Sequence, residues 1–204
     1  MLKKTFLSLI VIFIYVFQSY SQNKALKLNA LFSDNMVLQQ NTKVAFWGTC
    51  SPNEKVSVTG SWGKNTETKT DENGEWKLYL PTPKAGGPFT VSISTNTTEK
   101  KINNVLIGEV WLASGQSNME MPLKGWPPND AINNAEEEIA KANYPTIRMF
   151  TVQREMSLEP LNSIQGNWQN AISENAKNFS ATAYFFARRL HKELNVPIKN
   201  VGRF

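Results

Sequence analysis

Ser117 lies between two amide residues, Gln116 and Asn118, and follows Gly115 where the apolar run Val105 to Ala113 stops. A serine hydroxyl at the end of a buried strand, with N–H donors beside it, suits acyl transfer. The oxygen attacks a carbonyl, and nearby donors hold the oxygen that becomes negative. The spacing suggests a part for each residue. Gly115 is expected to take a positive φ and turn the backbone sharply, which leaves Ser117 at the carboxyl end of a strand, where open α/β sheets place their ligand crevice. The backbone N–H of Ser117, with a side-chain amide of Gln116 or Asn118 or the N–H of Gly115, then faces the oxyanion. A serine is a weak nucleophile without a positioned base, so the stretch supplies half a mechanism. The same letters also describe an ordinary strand-to-helix turn, with Ser117 or Asn118 as its N-cap.

The elements on either side must hold that turn. From Leu26 to about Asn104 the apolar period is two: Val44 and Phe46 alternate with Ala45 and Trp47, Val56 and Val58 with Ser57 and Thr59, and Trp76, Leu78 and Leu80 with Lys77 and Tyr79. Phe89, Val91 and Ile93 repeat the pattern. Short half-buried strands separated by Ser51-Pro52-Asn53, Asp71-Glu72-Asn73-Gly74 and Lys84-Ala85-Gly86-Gly87-Pro88 predict an antiparallel β-sandwich over 22–104. Beyond Asn104 the pattern changes. Val105 to Ala113 is almost continuously apolar, as in a parallel strand covered on both faces. A helix is expected over Asp130 to Ala142 and a second strand over Ile147 to Val152. Met156 to Asn170 reads as an irregular excursion, and Ser180 to Leu194 as a strong helix with Ala183, Phe186, Ala187, Leu190 and Leu194 on one stripe. The fold class is therefore mixed: a sandwich, then the first part of an α/β domain over 105–204.

Charge, cysteine and histidine usage narrow the function. The chain of 204 residues has a formal charge of +5, but its lysines are scattered, so no nucleic-acid partner is expected. Met1 to Lys4 carries two lysines, Phe6 to Phe17 is apolar apart from Ser8, and Ser19-Tyr20-Ser21 supplies small residues. This is the pattern of an export signal over 1–21, cut before Gln22. No later run approaches the roughly 20 apolar residues of a membrane span, so an exported protein, periplasmic or extracellular, is expected. Cys50 is the single cysteine and reads as a buried filler; no intramolecular disulfide can form. Glu136, Glu137 and Glu138 read as a solvated helix face and no metal site is expected. Trp126 either walls a pocket or packs. His191, the single histidine, borders the buried stripe of the last helix and reads as a packed or capping residue.

Gly108-Glu109-Val110-Trp111-Leu112-Ala113-Ser114-Gly115-Gln116-Ser117-Asn118-Met119-Glu120 resembles the first signature block of the sialate O-acetylesterase family, a branch of the SGNH-type serine esterases. Leu31-Phe32-Ser33-Asp34-Asn35-Met36-Val37-Leu38-Gln39-Gln40 and Phe179-Ser180-Ala181-Thr182-Ala183-Tyr184-Phe185-Phe186-Ala187 carry the same likeness. It implies a three-layer αβα esterase domain after the sandwich, Ser117 as nucleophile, its amide as an oxyanion donor, and no metal or organic cofactor. The implied substrates are O-acetylated sialic acids or other acetylated glycans, including acetylxylan-type polysaccharide. The family's base is a histidine near the C-terminus, usually three residues after an aspartate, and a later glycine and asparagine complete the oxyanion hole. These later elements have no counterpart here. After Ile198 the family continues with glycine and an apolar strand, whereas this chain reads Lys199-Asn200-Val201-Gly202-Arg203-Phe204. A C-terminally truncated esterase with an uncovered sheet edge is therefore expected, inactive as it stands, or alternatively a non-catalytic sandwich remnant.

Overall fold

Glu75–Pro81 alternates as its letters demand: Trp76, Leu78 and Leu80 are buried while Glu75, Lys77 and Tyr79 are exposed. The same period runs through much of the first half of the computed structural model, which describes residues 24–203. The signal segment expected over 1–21 lies outside the described residues. The strands are β1 (Lys27–Leu28), β2 (Val37–Gln39), β3 (Lys43–Thr49), β4 (Lys55–Gly60), β5 (Lys64–Lys69), β6 (Glu75–Pro81), β7 (Gly86–Ser94) and β8 (Glu99–Ser114). After β8 come helix α1 (Ser117–Glu120), α2 (Ala135–Ala140), β9 (Asn143–Thr151), β10 (Trp168–Ile172), α3 (Ser173–Ala176), α4 (Ala181–Leu194) and β11 (Ile198–Arg203).

Two sheets result. One has the order β1-β3-β6, and the other runs β10-β9-β11-β8-β7-β4-β5 with β2 added beside β8. A core of Phe46, Leu78 and Leu80 from the smaller sheet and Val56, Val58, Val91, Ile93, Val105 and Ile107 from the larger one joins them. Burying each such side chain stabilises by about 1.5–3 kcal/mol, so this core is the main source of stability in the first half. Cys50 is buried at its margin, and burial pushes the thiol up to about 11, which leaves it protonated at neutral pH.

Several expectations are corrected. β2 pairs with β8 in parallel, Val37 opposite Leu106, so the first half is not wholly antiparallel. Gly86, Gly87 and Pro88 belong to β7, which accommodates them as a register irregularity before Phe89. The strand expected over Val105 to Ala113 is the later part of the sixteen-residue β8, so the division expected at 104 falls inside an element. Nor is it covered throughout: Trp111 and Leu112 are 44% and 69% exposed. Only Ala135–Ala140 of the expected 130–142 helix is helical, because Asn134 takes a left-handed conformation at its start.

The strand inventory also grows. β9 matches the second strand expected, but β10 forms out of the end of the irregular excursion and pairs antiparallel with β9. β11 forms from the tail that departs from the family pattern. It inserts between β8 and β9, parallel to both, with Val201 opposite Leu112 and Phe150. Val201 and Ile198 point to opposite faces, which gives even this polar hexapeptide an apolar residue for each side. Ile198 joins a second core with Ile147, Met149 and the Ala181, Ala183, Tyr184 and Ala187 face of α4. Alanines on that face let the helix approach closely, and the Asn200 amide donates to the Ala183 carbonyl at 2.7 Å. Ser180 caps the start of α4, accepting from the Ala183 N–H at 3.2 Å, and left-handed Asn195 ends it.

Candidate functional site

The backbone leaves β8 at Ser114, passes Gly115 and enters the four-residue α1 at Ser117. Gly115, Gln116, Ser117 and Asn118 are all exposed. Ser117 therefore stands in the open at the carboxyl end of a strand, as expected, and begins a helix whose N-cap, Gln116, makes no side-chain cap bond. The first N–H groups of a helix have no partner within it. The capping alternative assigned to Ser117 or Asn118 is thus not what is found.

Gly115 acts differently from the expectation. It is not among the residues with positive φ. Its need for hydrogen in place of a side chain comes from Met119, whose Cβ would lie 2.9 Å from a Cβ added at Gly115. Met119 turns back beneath the glycine and packs against the second core. Close approach, rather than an unusual dihedral angle, selects glycine here.

No residue of α1 is fully buried, so packing alone does not fix the turn. Hydrogen bonds to the start of α4 do much of it. The Thr182 hydroxyl donates to the Asn118 carbonyl at 3.0 Å, the Ala181 N–H to the Met121 carbonyl at 2.8 Å, and the Leu123 N–H to the Phe179 carbonyl at 2.9 Å. Ser180 Oγ also reaches Met119 Sδ at 3.7 Å. On the other side Glu120 forms an ion pair with Arg154, which follows β9. An exposed pair of this kind adds little stability. Thr182, Ser180, Glu120 and Arg154 were not singled out from sequence. The signal that could have found Thr182 is Pro122, four residues after Asn118.

His191 is not brought to the serine. It occupies the last turn of α4, with Nδ1 2.9 Å from the Val196 carbonyl oxygen. Nine residues separate it from Thr182, about 14 Å along a helix. The packed or capping reading holds. Trp126 is 37% exposed in a tight turn whose backbone pairs with Asp130. Glu136 and Glu137 are exposed and Glu138 pairs with Arg188. Among the described residues no group of three or more His, Cys, Asp or Glu could hold a metal ion, and no helix is long and apolar enough to cross a membrane.

No family model matches the chain. The human sialate O-acetylesterase is 34% identical to it over an alignment of 186 positions that covers 81% of this chain and 34% of that protein. The mouse protein of the same name is 34% identical over an alignment of 189 positions that covers 83% of this chain and 34% of its own length. A crystal structure of a carbohydrate acetylesterase from Xanthomonas citri superposes with a TM-score of 0.80 at 36% identity, covering 87% of this chain and 40% of that one. The chain thus spans about a third of the length of the curated relatives it matches. It is a sequence relative of the sialate O-acetylesterase family, and the likeness reaches both halves of the fold.

Proposed function

We propose that this chain is the nucleophile-bearing part of an exported carbohydrate O-acetylesterase. The observation that carries the reading is the exposed Ser117, placed directly after a central strand inside the Gly-Gln-Ser-Asn-Met block. Ser117 Oγ attacks the acetyl carbonyl and passes its proton to a base. The tetrahedral intermediate expels the sugar oxygen, which takes that proton from the base and leaves as a hydroxyl, and water then hydrolyses the acetyl-serine to acetate. The Ser117 N–H holds the carbonyl oxygen as it becomes negative; Gln116 and Asn118 stand beside it and shape or add to that donor set. By family resemblance the base is a histidine that follows an aspartate, in a part of the family not matched here.

O-acetylated sialic acids are the leading substrates, supported by the names of the curated relatives. The solved neighbour is called a carbohydrate acetylesterase more broadly, which supports acetylated polysaccharide as the second class. In this reading residues 22–104 form a sandwich scaffold, residues 105–204 begin an SGNH-like layered domain, and 1–21 direct export.

The test measures acetate release from an aryl acetate, an O-acetylated sialoside and acetylxylan, with Ser117→Ala as the blank. Loss of at least about a thousandfold in Ser117→Ala is expected where the protein is active. Activity retained in Ser117→Ala would overturn the nucleophile assignment. Wild-type chain that does no better than the blank supports a non-catalytic role for this chain by itself.

A further inference from the structure

A four-residue helix that buries no side chain completely should not hold its shape unaided. In a longer helix the Asn118 carbonyl would accept from the N–H of residue 122, but that residue is Pro122, which has none. Proline also disfavours helical backbone in the residue before it, and Met121 has left the helix, with ψ 118°. The Met121 N–H is committed to Ser117 O at 2.9 Å. The carbonyl directly after the nucleophile therefore lacks an intrahelical donor, and the Thr182 hydroxyl meets it at 3.0 Å.

We infer that Thr182 is a positioning residue for Ser117, its hydroxyl supplying to the Asn118 carbonyl the hydrogen bond that Pro122 cannot give. The inference rests on the reading of Ser117 as nucleophile. Thr182 touches no reacting atom. It fixes the peptide plane between residues 118 and 119, and with it the direction in which the preceding turn presents the Ser117 hydroxyl and N–H. Ser180, two residues earlier, reaches Met119 Sδ, so two hydroxyls in the cap and first turn of α4 address consecutive residues of α1. Thr182 is itself exposed, which is unexpected for a residue that merely fills space.

Three variants decide it: Thr182→Val, which keeps the shape and removes the donor, Thr182→Ser, which keeps the donor, and Ser117→Ala as the catalytic blank. Amide hydrogen exchange on the chain itself is the first readout. Thr182→Val is expected to speed exchange about fivefold at Met119, Glu120 and Met121, the loss of one modest hydrogen bond, with Thr182→Ser close to wild type and residues 184–194 of α4 unchanged. Aryl acetate hydrolysis is the second. Where the wild-type chain exceeds the Ser117→Ala blank, a fall in kcat of about tenfold with KM unchanged is expected in Thr182→Val, restored in Thr182→Ser, since small displacements of a reacting group are costly. Unchanged exchange in Thr182→Val, or faster exchange along all of α4, would overturn the positioning role. Activity retained in Ser117→Ala would remove the nucleophile reading, while the exchange result still decides whether Thr182 holds the turn.

Discussion

From Glu99 to Gly108, β8 is paired with β7 and then β2, and Val105, Leu106 and Ile107 are buried. From Glu109 to Ser114 it pairs with β11 alone among the described strands, and Trp111 and Leu112 stand largely exposed. The apolar letters are much the same in the two halves; their neighbours are not. A continuous apolar run states that a strand is suited to cover on both faces. Whether that cover is present is decided by elements distant in sequence. The first half is accordingly a stability element, while the second ends in the turn that carries Ser117.

The sharpest way to break this comparison is to truncate one residue in each half. Ile107→Ala, in the filled core, is expected to cost about 2–5 kcal/mol in chemical denaturation, whereas Leu112→Ala should stay within about 0.5 kcal/mol. Equal losses would show that the second half is covered in solution.

Lys199, on β11 opposite Val110, gives the next effect. Its Nζ lies 4.8 Å from the centre of the Trp168 ring, and burial pushes the ammonium down to about 8 from 10.5. The unfolded chain therefore holds this proton at pH values where the folded protein has released it. Stability should rise with pH between about 8 and 10.5, by at most about 3 kcal/mol. Thermal unfolding across that range measures it, and Lys199→Met should remove the dependence while raising stability at neutral pH.

Gly108 marks the junction between the two halves. A Cβ there would lie 1.9 Å from the Pro197 carbonyl oxygen, just where β11 joins the sheet. Gly108→Ala should cost roughly 1–3 kcal/mol and loosen β11 before the first core, visible as faster amide exchange in 198–203. The smallest effect concerns the exposed half. Trp111 meets Phe186 of α4 edge to face, with ring centres 5.1 Å apart, a contact worth about 0.5–1.5 kcal/mol. Trp111→Ser should change stability by no more than that and reduce concentration-dependent self-association in sedimentation.

Much of the first half was legible because its signal is local. Trp76, Leu78 and Leu80 alternate with polar neighbours, and a period of two places them on one face wherever the strand lies. The Ser180 to Leu194 helix was legible because its cap and its spacing lie within fifteen consecutive positions, but its stripe was read only in part. Ala183 and Ala187 are buried and Leu190 packs against the second core, whereas Phe186 and Leu194 are 42% and 51% exposed and Ala181 and Tyr184 take the buried places instead. β10 and β11 were not. Lys199, Asn200 and Gly202 interrupt an apolar pattern, and these residues become a central strand because β8 and β9 present free edges on either side. At the site, the Gly-Gln-Ser-Asn-Met letters placed Ser117 at a strand end. They could not show that Gly115 is required by Met119 rather than by its own φ.

The sequence by itself determined which strands have an apolar face, where α4 starts and stops, and that a serine follows the apolar run, since each depends on residues a few positions apart. Only the tertiary structure decided that β11 lies between β8 and β9, that half of β8 is left partly bare, and that Thr182 reaches the Asn118 carbonyl. Those outcomes depend on hydrogen-bonding edges and a missing proline donor being met by residues sixty or more positions away, for Thr182, and by a strand some ninety positions away, for β11 against β8. Local preference restricts such meetings without selecting one of them.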